Sequence, residues 1–305
     1  MPTSLQPLRI AIVGAGKIGS AFAFHLVQVG GHEVTAIARP GSARLDELER
    51  DQSIVTVEGE RACVRVASGL DEAIPYDLVI VTLLAHQIEP ILPALKRSAA
   101  ASILFMFNTF EPERVQAAIG AERCDFGLPF LQASFDDKGK LKTAIGVGGQ
   151  KTIISLPRWV DVFNAAGLPA RLEPRMPLWL RCHAPFCVAF ESVSVEGVRR
   201  GGGASWNDAL RLARGVRASY ALINGLGYSI YPKSKQRVGA SPTWVIAAML
   251  WFMSRIGSFR ELLATGEAEC RALVDVMTEA SRRAKPSPAM KIADIAAMRP
   301  SARSS

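Results

Sequence analysis

Three glycines near the amino terminus have a spacing that can hold a phosphate group. The segment is Gly14, Ala15, Gly16, Lys17, Ile18 and Gly19, which reads Gly-x-Gly-x-x-Gly. It follows a short apolar run, residues 8–13, and opens a helical pattern. In that context the first glycine permits a tight turn, the second lets a pyrophosphate approach, and the third lets helix and strand pack closely. We therefore expect the exposed N–H groups to hold the diphosphate of a dinucleotide. The alternative is a glycine-rich turn without a ligand.

Arg39 occupies the position that determines whether a dinucleotide-binding site of this kind prefers NAD(H) or NADP(H). An acidic residue about 20 positions beyond the last glycine accepts hydrogen bonds from the adenosine ribose and repels a 2′-phosphate. Here Arg39 ends the second predicted strand instead, and Glu33 lies at the strand's beginning. A guanidinium pairs with phosphate and stacks on an adenine ring. The expected cofactor is NADP(H), with Ser42 and Arg44 as weaker candidates for the same phosphate; the alternative is an arginine exposed in a loop.

The elements that must position these residues alternate between strand and helix over the first ~120 residues. Apolar runs at 8–13, 34–38, 77–83 and 102–108 predict buried parallel strands, and 54–58 with 62–66 predicts a small hairpin. This alternation predicts an α/β fold with a Rossmann-type doubly wound sheet. From about residue 174 the pattern is helical, over 178–195, 206–225, 243–256 and 267–283. We expect a dinucleotide-binding domain over 1–172, an all-helical carboxyl-terminal domain over 173–297, and a disordered tail over 298–305.

Composition narrows the class of protein. The net charge of +8 is scattered over the sequence without aromatic interleaving, so we expect no nucleic-acid partner. No apolar run reaches the length of a membrane span, and the apolar segment 244–253 fits a buried helix or a homodimer contact better. Five cysteines without a Cys-x-x-Cys pair, and no signal peptide, favour the cytoplasm. No cluster of cysteine and histidine has metal-ligand spacing, so no metal is expected.

Taken together, these motifs resemble the ketopantoate reductase family. The resemblance rests on the glycine fingerprint, Arg39, the strand ending at Leu83 before Ala85-His86-Gln87, Asn108 at a strand end, Ile145-Gly146-Val147-Gly148, and the helical second half. It implies a Rossmann domain and a helical domain with the active site in the cleft between them. It also implies hydride transfer from NADPH to the ketone of a 2-oxo acid, giving a 2-hydroxy acid such as pantoate, as in pantothenate biosynthesis.

Several site residues follow from this resemblance. Asn108 matches the family's strand-end asparagine near the nicotinamide, at the carboxyl end of a parallel strand where ligands of such sheets bind; a cap before Glu111-Pro112 is the alternative. Leu83 and Gln87 match positions at and after the preceding strand. On the late helix, Glu267 is the best match to a glutamate that holds the substrate hydroxyl groups, with Glu269 as its neighbour if the alignment slips by two.

The chain also departs from the family pattern. Leu84 and Thr109 stand where the family has a lysine and a glycine. After Trp179, the position of the proton-donating lysine is Arg181, and the positions of two asparagines are Pro185 and Ala189.

Arginine stays charged at any working pH, so Arg181 can hold a carboxylate but is a poor proton donor. His183 is the expected donor in its place, since an imidazole is a natural general acid near neutrality. The alternatives are a packed histidine and a surface arginine, and a cofactor-binding regulator that has lost catalysis.

Overall fold

The structure is a computed structural model that describes residues 6–264 and 266–300. Its described residues form two compact units. The first comprises residues 6–107 and 113–176, and the second comprises residues 108–112, 177–264 and 266–300. The predicted boundary near residue 172 differs from this division by four residues, and the short segment that begins at Asn108 belongs to the second unit.

The first unit is built on an eight-stranded sheet with the strand order β12-β11-β8-β7-β6-β1-β2-β5. All neighbouring strands in it are parallel except β8 and β11. The strands are β1 (Arg9–Val13), β2 (Glu33–Ile37), β3 (Ser53–Val55), β4 (Arg61–Cys63), β5 (Arg65–Ala67), β6 (Leu78–Val81), β7 (Ile103–Met106), β8 (Cys124–Leu128), β9 (Leu131–Phe135), β10 (Leu141–Ile145), β11 (Thr152–Ile154) and β12 (Ala170–Leu172). The predicted Rossmann-type α/β fold is confirmed.

Helices accompany this sheet and two small hairpins. They are α1 (Lys17–Gln28), α2 (Ala43–Asp51), α3 (Leu92–Arg97), α4 (Pro112–Ile119) and α5 (Pro157–Ala165). The predicted hairpin is β3 with β4; its second arm continues into β5, which joins the main sheet beside β2.

The strand order reverses at β1, because the chain passes from β1 to β2 on one side and later to β6 on the other. β6 and β7 are buried along their whole length, which explains their continuous apolar sequences. Ligands of open α/β sheets bind beyond the carboxyl ends of the strands at such a reversal. Gly14 follows β1 there, and Thr82 and Leu83 follow β6.

The second unit is helical, as predicted. Its helices are α6 (Met176–Arg199), α7 (Trp206–Gly225), α8 (Lys233–Ala240), α9 (Thr243–Met253), α10 (Gly257–Leu263), α11 (Glu267–Ala280) and α12 (Ile292–Ala296). Small and apolar side chains of α6, α7, α9 and α11 form its core.

The predicted tail begins too early, because Met298 is fully buried in this core and its carbonyl oxygen accepts a hydrogen bond from Ser192 Oγ at 2.8 Å. Residues 301–305 lie outside the described residues.

The apolar helix α9 is only partly buried. Trp244 and Phe252 are 63% and 62% exposed, so the homodimer contact assigned to this segment stays a prediction. In the part of the chain that the structure describes, no helix combines the length and the hydropathy of a membrane span. The same residues contain no group of three or more histidine, cysteine or acidic side chains suited to a metal ion.

Candidate functional site

The three glycines of the amino-terminal loop meet three different constraints. Gly14 has φ +102°, a conformation that favours glycine, and Gly19 lies so close to the Gly14 carbonyl that a Cβ would stand 2.1 Å from its oxygen. A Cβ on Gly16 would meet no atom within 4 Å. Packing therefore explains Gly14 and Gly19, whereas the space beside Gly16 remains open for a ligand. This open space fits the pyrophosphate that the sequence predicts.

The carbonyl oxygens of the loop are held by neighbouring donors. Thr82 Oγ1 donates to the Gly14 oxygen at 2.6 Å, while Ser20 Oγ and Arg44 Nε donate to the Ala15 oxygen at 3.0 and 3.2 Å. Helix α1 then begins at Lys17 with no acidic side chain in its first turn. The first N–H groups of a helix have no partners within it, and its N-terminus carries partial positive charge. This end of α1 can bind an anion.

Arg39 lies two residues beyond the end of β2 and is exposed. Within residues 6–264 and 266–300, its guanidinium makes no hydrogen bond or ion pair, so the group is available to a ligand. Its carbonyl oxygen accepts a 2.7 Å hydrogen bond from Ser42 Oγ, and Ser42 caps α2 by accepting from the N–H of Leu45. The backbone of Arg39 is therefore held in place, whereas its guanidinium can move to contact a ligand.

Arg44, the weaker phosphate candidate, has a structural role. Besides Ala15, its guanidinium contacts Glu47 at 2.9 Å and Ser20 at 3.0 Å, and it stacks on the ring of Phe135. These contacts tie α2 to the glycine loop. The arginine that can reach a ligand without breaking contacts is Arg39.

The other predicted cofactor residues belong to the glycine motif or follow β6. Leu83 packs against Gly14, since its Cδ2 is 2.9 Å from where a Cβ on Gly14 would be. Gln87 is exposed and closes a short turn by accepting a hydrogen bond from the N–H of Leu84 at 3.1 Å. Ile18 packs against the core of the first unit, and Lys17 is exposed. Their cofactor contacts stay predictions.

In the second unit, Asn108 contacts the late helix α11. Its Nδ2 donates to Glu269 Oε1 at 3.0 Å, although 161 positions separate the two residues in sequence. Its Oδ1 is buried and has no hydrogen-bond partner among the described residues, which leaves a buried acceptor open to a ligand. Glu267, the predicted glutamate, contacts Arg199 at 3.1 Å and Arg271 at 2.7 Å instead. The glutamate beside Asn108 is Glu269.

The structure does not bring Arg181 and His183 together. Residues two positions apart on an α-helix are separated by about 200° of rotation and do not face each other. The Arg181 guanidinium lies 4.0 Å from the centroid of the Tyr228 ring and 5.7 Å from that of Phe110. His183 stacks on Trp179, with 4.5 Å between ring centroids. The expectation that both hold one substrate conflicts with this geometry.

Electrostatics also oppose His183 as a charged acid. Burial, and then the positive charge of Lys235, lower the pKa of His183 to about 3. Lys235 Nζ lies 3.7 Å from the centroid of the Trp179 ring and donates to the Trp179 carbonyl oxygen at 3.1 Å. The imidazole is therefore neutral near neutral pH, and the imidazolium that would donate a proton is scarce.

Glu191 on α6 is a buried acid that the sequence interpretation passed over. It is 7% exposed, and its two carboxylate oxygens accept from the thiols of Cys187 at 3.3 Å and Cys270 at 2.9 Å. Burial, with the nearby charge of Glu269, raises the pKa of Glu191 to about 8. Burial raises the pKa of Glu269 too, against the opposing effect of its hydrogen bonds from Asn108. The sequence does contain a feature that identifies this residue, because Glu191 is the sole acid in an apolar stretch of α6, residues 184–195.

The comparisons with known proteins agree with this architecture. The family model described as ketopantoate reductase PanE/ApbA matches residues 10–156, which contain the glycine loop, Arg39 and Asn108. No curated protein sequence matches the chain.

Solved structures match the chain along almost its whole length. A PanE/ApbA family ketopantoate reductase from Ralstonia eutropha JMP134 has a TM-score of 0.69 at 16% identity, with 95% of each chain covered. A 2-dehydropantoate 2-reductase from Geobacter metallireducens GS-15 has 0.64 at 17%, covering 95% of this chain and 98% of that one. D-mandelate dehydrogenase in complex with NADH has 0.70 at 14%, covering 95% and 96%.

Identities this low show a shared fold and leave cofactor and substrate open. The family resemblance read from the motifs is nevertheless confirmed by the match over residues 10–156. Over residues 10–156 the chain matches the ketopantoate reductase family model, and along almost its whole length it shares the fold of solved members of that family.

Proposed function

We propose that the protein is an NADPH-dependent reductase that transfers a hydride to the ketone of a 2-oxo acid, ketopantoate or a related carbonyl compound. The observation that carries the proposal is the pairing of Asn108 with Glu269. It joins the strand-end asparagine, which the resemblance places near the nicotinamide, to Glu269, the neighbour of the glutamate that the resemblance assigns to the substrate. The family match over residues 10–156 supports the same reaction class.

The first unit would hold the cofactor. Gly16 leaves room for the pyrophosphate, the amino-terminal end of α1 would bind it, and the Arg39 guanidinium would pair with the 2′-phosphate. Bound NADPH supplies the hydride. A preference for NADH would instead require an acidic side chain beside the adenosine ribose just after β2, and Arg39 occupies that position.

The second unit would hold the substrate. The buried Oδ1 of Asn108 can accept a hydrogen bond from the carboxamide of a nicotinamide or from a substrate hydroxyl group. Arg181, 3% exposed and covered by Tyr228, would anchor the substrate carboxylate. A guanidinium suits this role because it binds a carboxylate bidentately.

Ketopantoate itself is one candidate among related substrates. The two buried asparagine positions of the family pattern are Pro185 and Ala189, and neither side chain can hold a hydroxyl group. One structural neighbour is a D-mandelate dehydrogenase solved with NADH and anilino(oxo)acetate. By analogy, aromatic 2-oxo acids belong in the substrate panel beside ketopantoate.

A steady-state assay tests the proposal. NADPH consumption is followed with ketopantoate and with a panel of aliphatic and aromatic 2-oxo acids, and NADPH binding is followed in parallel by fluorescence. We expect turnover with at least one 2-oxo acid and none when that compound is replaced by its 2-hydroxy acid. Tight NADPH binding without turnover on any member would contradict the reductase.

The same apolar replacements favour a second candidate function, an NADP(H)-binding regulator without catalysis. Pro185 and Ala189 occupy the two asparagine positions of the family pattern, and a protein that had lost catalysis would no longer need polar side chains there. The two candidates differ in turnover and agree in cofactor binding, so the assay separates them. None of the five cysteines forms a disulfide bond, which supports a cytoplasmic location for either function.

A further inference from the structure

The second unit contains a cavity that the proposed reaction does not use. Its volume is about 560 Å³, which is within the usual range of small-molecule sites in proteins. One wall is a face of helix α7. The other walls come from the segment before α8, from α8 itself, from the start of α9 and from the segment that leads into α12. The residues assigned above to the cofactor and the substrate belong to other parts of the chain.

Two closely packed helices leave this cavity open between their side chains. The face of α7 that lines it has residues at helical spacing, Arg214, Arg217, Ala221 and Asn224. Helix α8 approaches α7 so closely that a Cβ on Gly239 would overlap the Tyr220 ring. This contact holds the two walls together, and the small side chains at 221, 239 and 240 leave the space between them unfilled.

Three cationic side chains and one carboxylate line the cavity. Arg214 and Lys291 are exposed, and in the part of the chain that the structure describes neither side chain makes a hydrogen bond or an ion pair. Arg217 donates to neutral oxygens, such as the carbonyl oxygen of Ser241 at 3.3 Å. Asp294 also lines the cavity, but among the described residues it forms no ion pair with these cations. The cavity therefore has an excess of positive charge that no side chain neutralises by contact.

The start of helix α9 adds to this positive potential. Thr243 begins the helix and lines the cavity, and its Oγ1 accepts a hydrogen bond from Arg217 Nη1 at 3.3 Å. The first turn of this 11-residue helix has no acidic side chain, and no side chain caps it. The first N–H groups of a helix lack partners within it and carry partial positive charge. This end of α9 therefore favours an anion in the cavity.

Three cations around one cavity suit a phosphate group better than a carboxylate. A phosphate monoester carries nearly two negative charges near neutral pH and presents three acceptor oxygens, whereas a carboxylate carries one charge on two oxygens. Guanidinium groups also bind phosphate bidentately. The neutral part of the lining, Asn224, Ser229 and Gln236, offers hydrogen-bonding groups to hydroxyl groups.

We propose that this cavity binds a small organic phosphate. The phosphate group lies among the three cations, and the hydroxyl groups of the carbon skeleton face the neutral polar side chains. This site goes beyond the proposed reductase function, because its residues take no part in holding the cofactor or the 2-oxo acid. Asp294 repels the phosphate and so limits the affinity of the site.

Calorimetric titration with glycerol 3-phosphate tests the proposal. The parent protein should bind this probe with a Kd on the order of 1 mM or below. Arg214→Gln and Lys291→Gln should each weaken binding about tenfold, because each removes a charge-assisted contact. Arg39→Ala should bind the probe as tightly as the parent protein does, which separates this cavity from the proposed cofactor site.

Two further variants make the test independent of folding. Arg237→Gln is the matched control, because Arg237 is an exposed arginine of α8 that does not line the cavity, and its loss changes the net charge equally. It should keep parent affinity. Asp294→Asn should tighten binding about three- to tenfold, since it removes a negative charge beside the phosphate. A folding defect would not produce this gain, and the thermal unfolding midpoints of all variants should match that of the parent protein.

Three results would overturn the phosphate site. The first is no saturable binding of glycerol 3-phosphate by the parent protein up to about 10 mM. The second is parent affinity in both Arg214→Gln and Lys291→Gln, or an equal loss in Arg237→Gln. The third is equal affinity of the parent protein for succinate, which carries two carboxylates and no phosphate.

Discussion

Gly16 and Gly19 belong to one loop, but different forces act on them. Gly19 is needed for packing because of the Gly14 carbonyl beneath it, whereas Gly16 has free space and an extended backbone that other residues adopt. The motif itself predicts these two roles, space for a ligand at Gly16 and close packing at Gly19. The neighbours of each Cβ position agree with that prediction.

Substitution of the two glycines should therefore give opposite results. Gly16→Val should leave the thermal unfolding midpoint nearly unchanged but raise the Kd for NADPH at least about tenfold, since the side chain fills the pyrophosphate position. Gly19→Ala should lower the free energy of unfolding by about 1–3 kcal/mol through overpacking. Calorimetry and fluorescence titration of both variants check this. Normal NADPH binding by Gly16→Val would contradict the assigned phosphate site.

His183 should make the fold sensitive to acid. Its folded-state pKa, about 3, lies below the ordinary 6.5, so the folded protein binds this proton less readily than the unfolded chain. The associated stability is present above about pH 6.5 and is lost as the pH falls toward 3.

In His183→Gln the free energy of unfolding should decline less between neutral and acidic pH than in the parent protein. The exposed His86 provides the control, and His86→Gln should follow the parent curve. Urea denaturation over this pH range makes the comparison. Parallel curves for His183→Gln and the parent would show that the imidazole is not buried in its neutral form.

At the scale of elements, helices with strong local signals were predicted well. The bounds of α7, Trp206–Gly225, agree with the prediction, because Ser205 and Asp208 form a capping box at its start. The sequence interpretation missed α2 and α5 of the first unit and α8, α10 and α12 of the second, the last three of which have eight, seven and five residues. Pro232 and Pro242 flank α8. Two prolines around so short a segment predict a loop between helices and not a helix.

The cap of α7 is a separate test at this scale. Ser205→Ala should lower the free energy of unfolding by about 1 kcal/mol, because Ser205 Oγ accepts from the Asp208 N–H at 3.1 Å. Ser234→Ala, within α8 and exposed, is the matched serine control and should change stability little. Chemical denaturation measures both variants. Equal stability of Ser205→Ala and the parent would mean that the cap is not formed in solution.

At the scale of the whole molecule, the residues proposed for the cofactor and those proposed for the substrate differ in how far sequence predicts them. The glycine loop and Arg39 lie within about 25 consecutive residues, so a local motif describes them. The pair of Asn108 and Glu269 is brought together only by tertiary folding. Glu267 was preferred over Glu269 because no sequence pattern distinguishes two acids on the first turn of one helix.

The match to the family model ends at residue 156, within the first unit. Roles for residues of the second unit therefore rest on their contacts, whereas the glycine loop and Arg39 lie within the matched range. The scattered net charge of +8 favours any anionic ligand and does not by itself select NADPH over NADH. In the function proposed here, that selection would depend on a single side chain, Arg39.

Titration of NADPH and NADH against the parent protein, Arg39→Ala and Arg65→Ala tests that dependence directly. Arg65 is an exposed arginine of the same unit and serves as the control. A charge-assisted pair with the 2′-phosphate is worth about 1.5–3 kcal/mol, so NADPH should bind the parent protein roughly 10- to 100-fold more tightly than NADH. Arg39→Ala should abolish this preference and Arg65→Ala should keep it. Equal affinity of the parent protein for the two cofactors, unchanged in Arg39→Ala, would contradict the account.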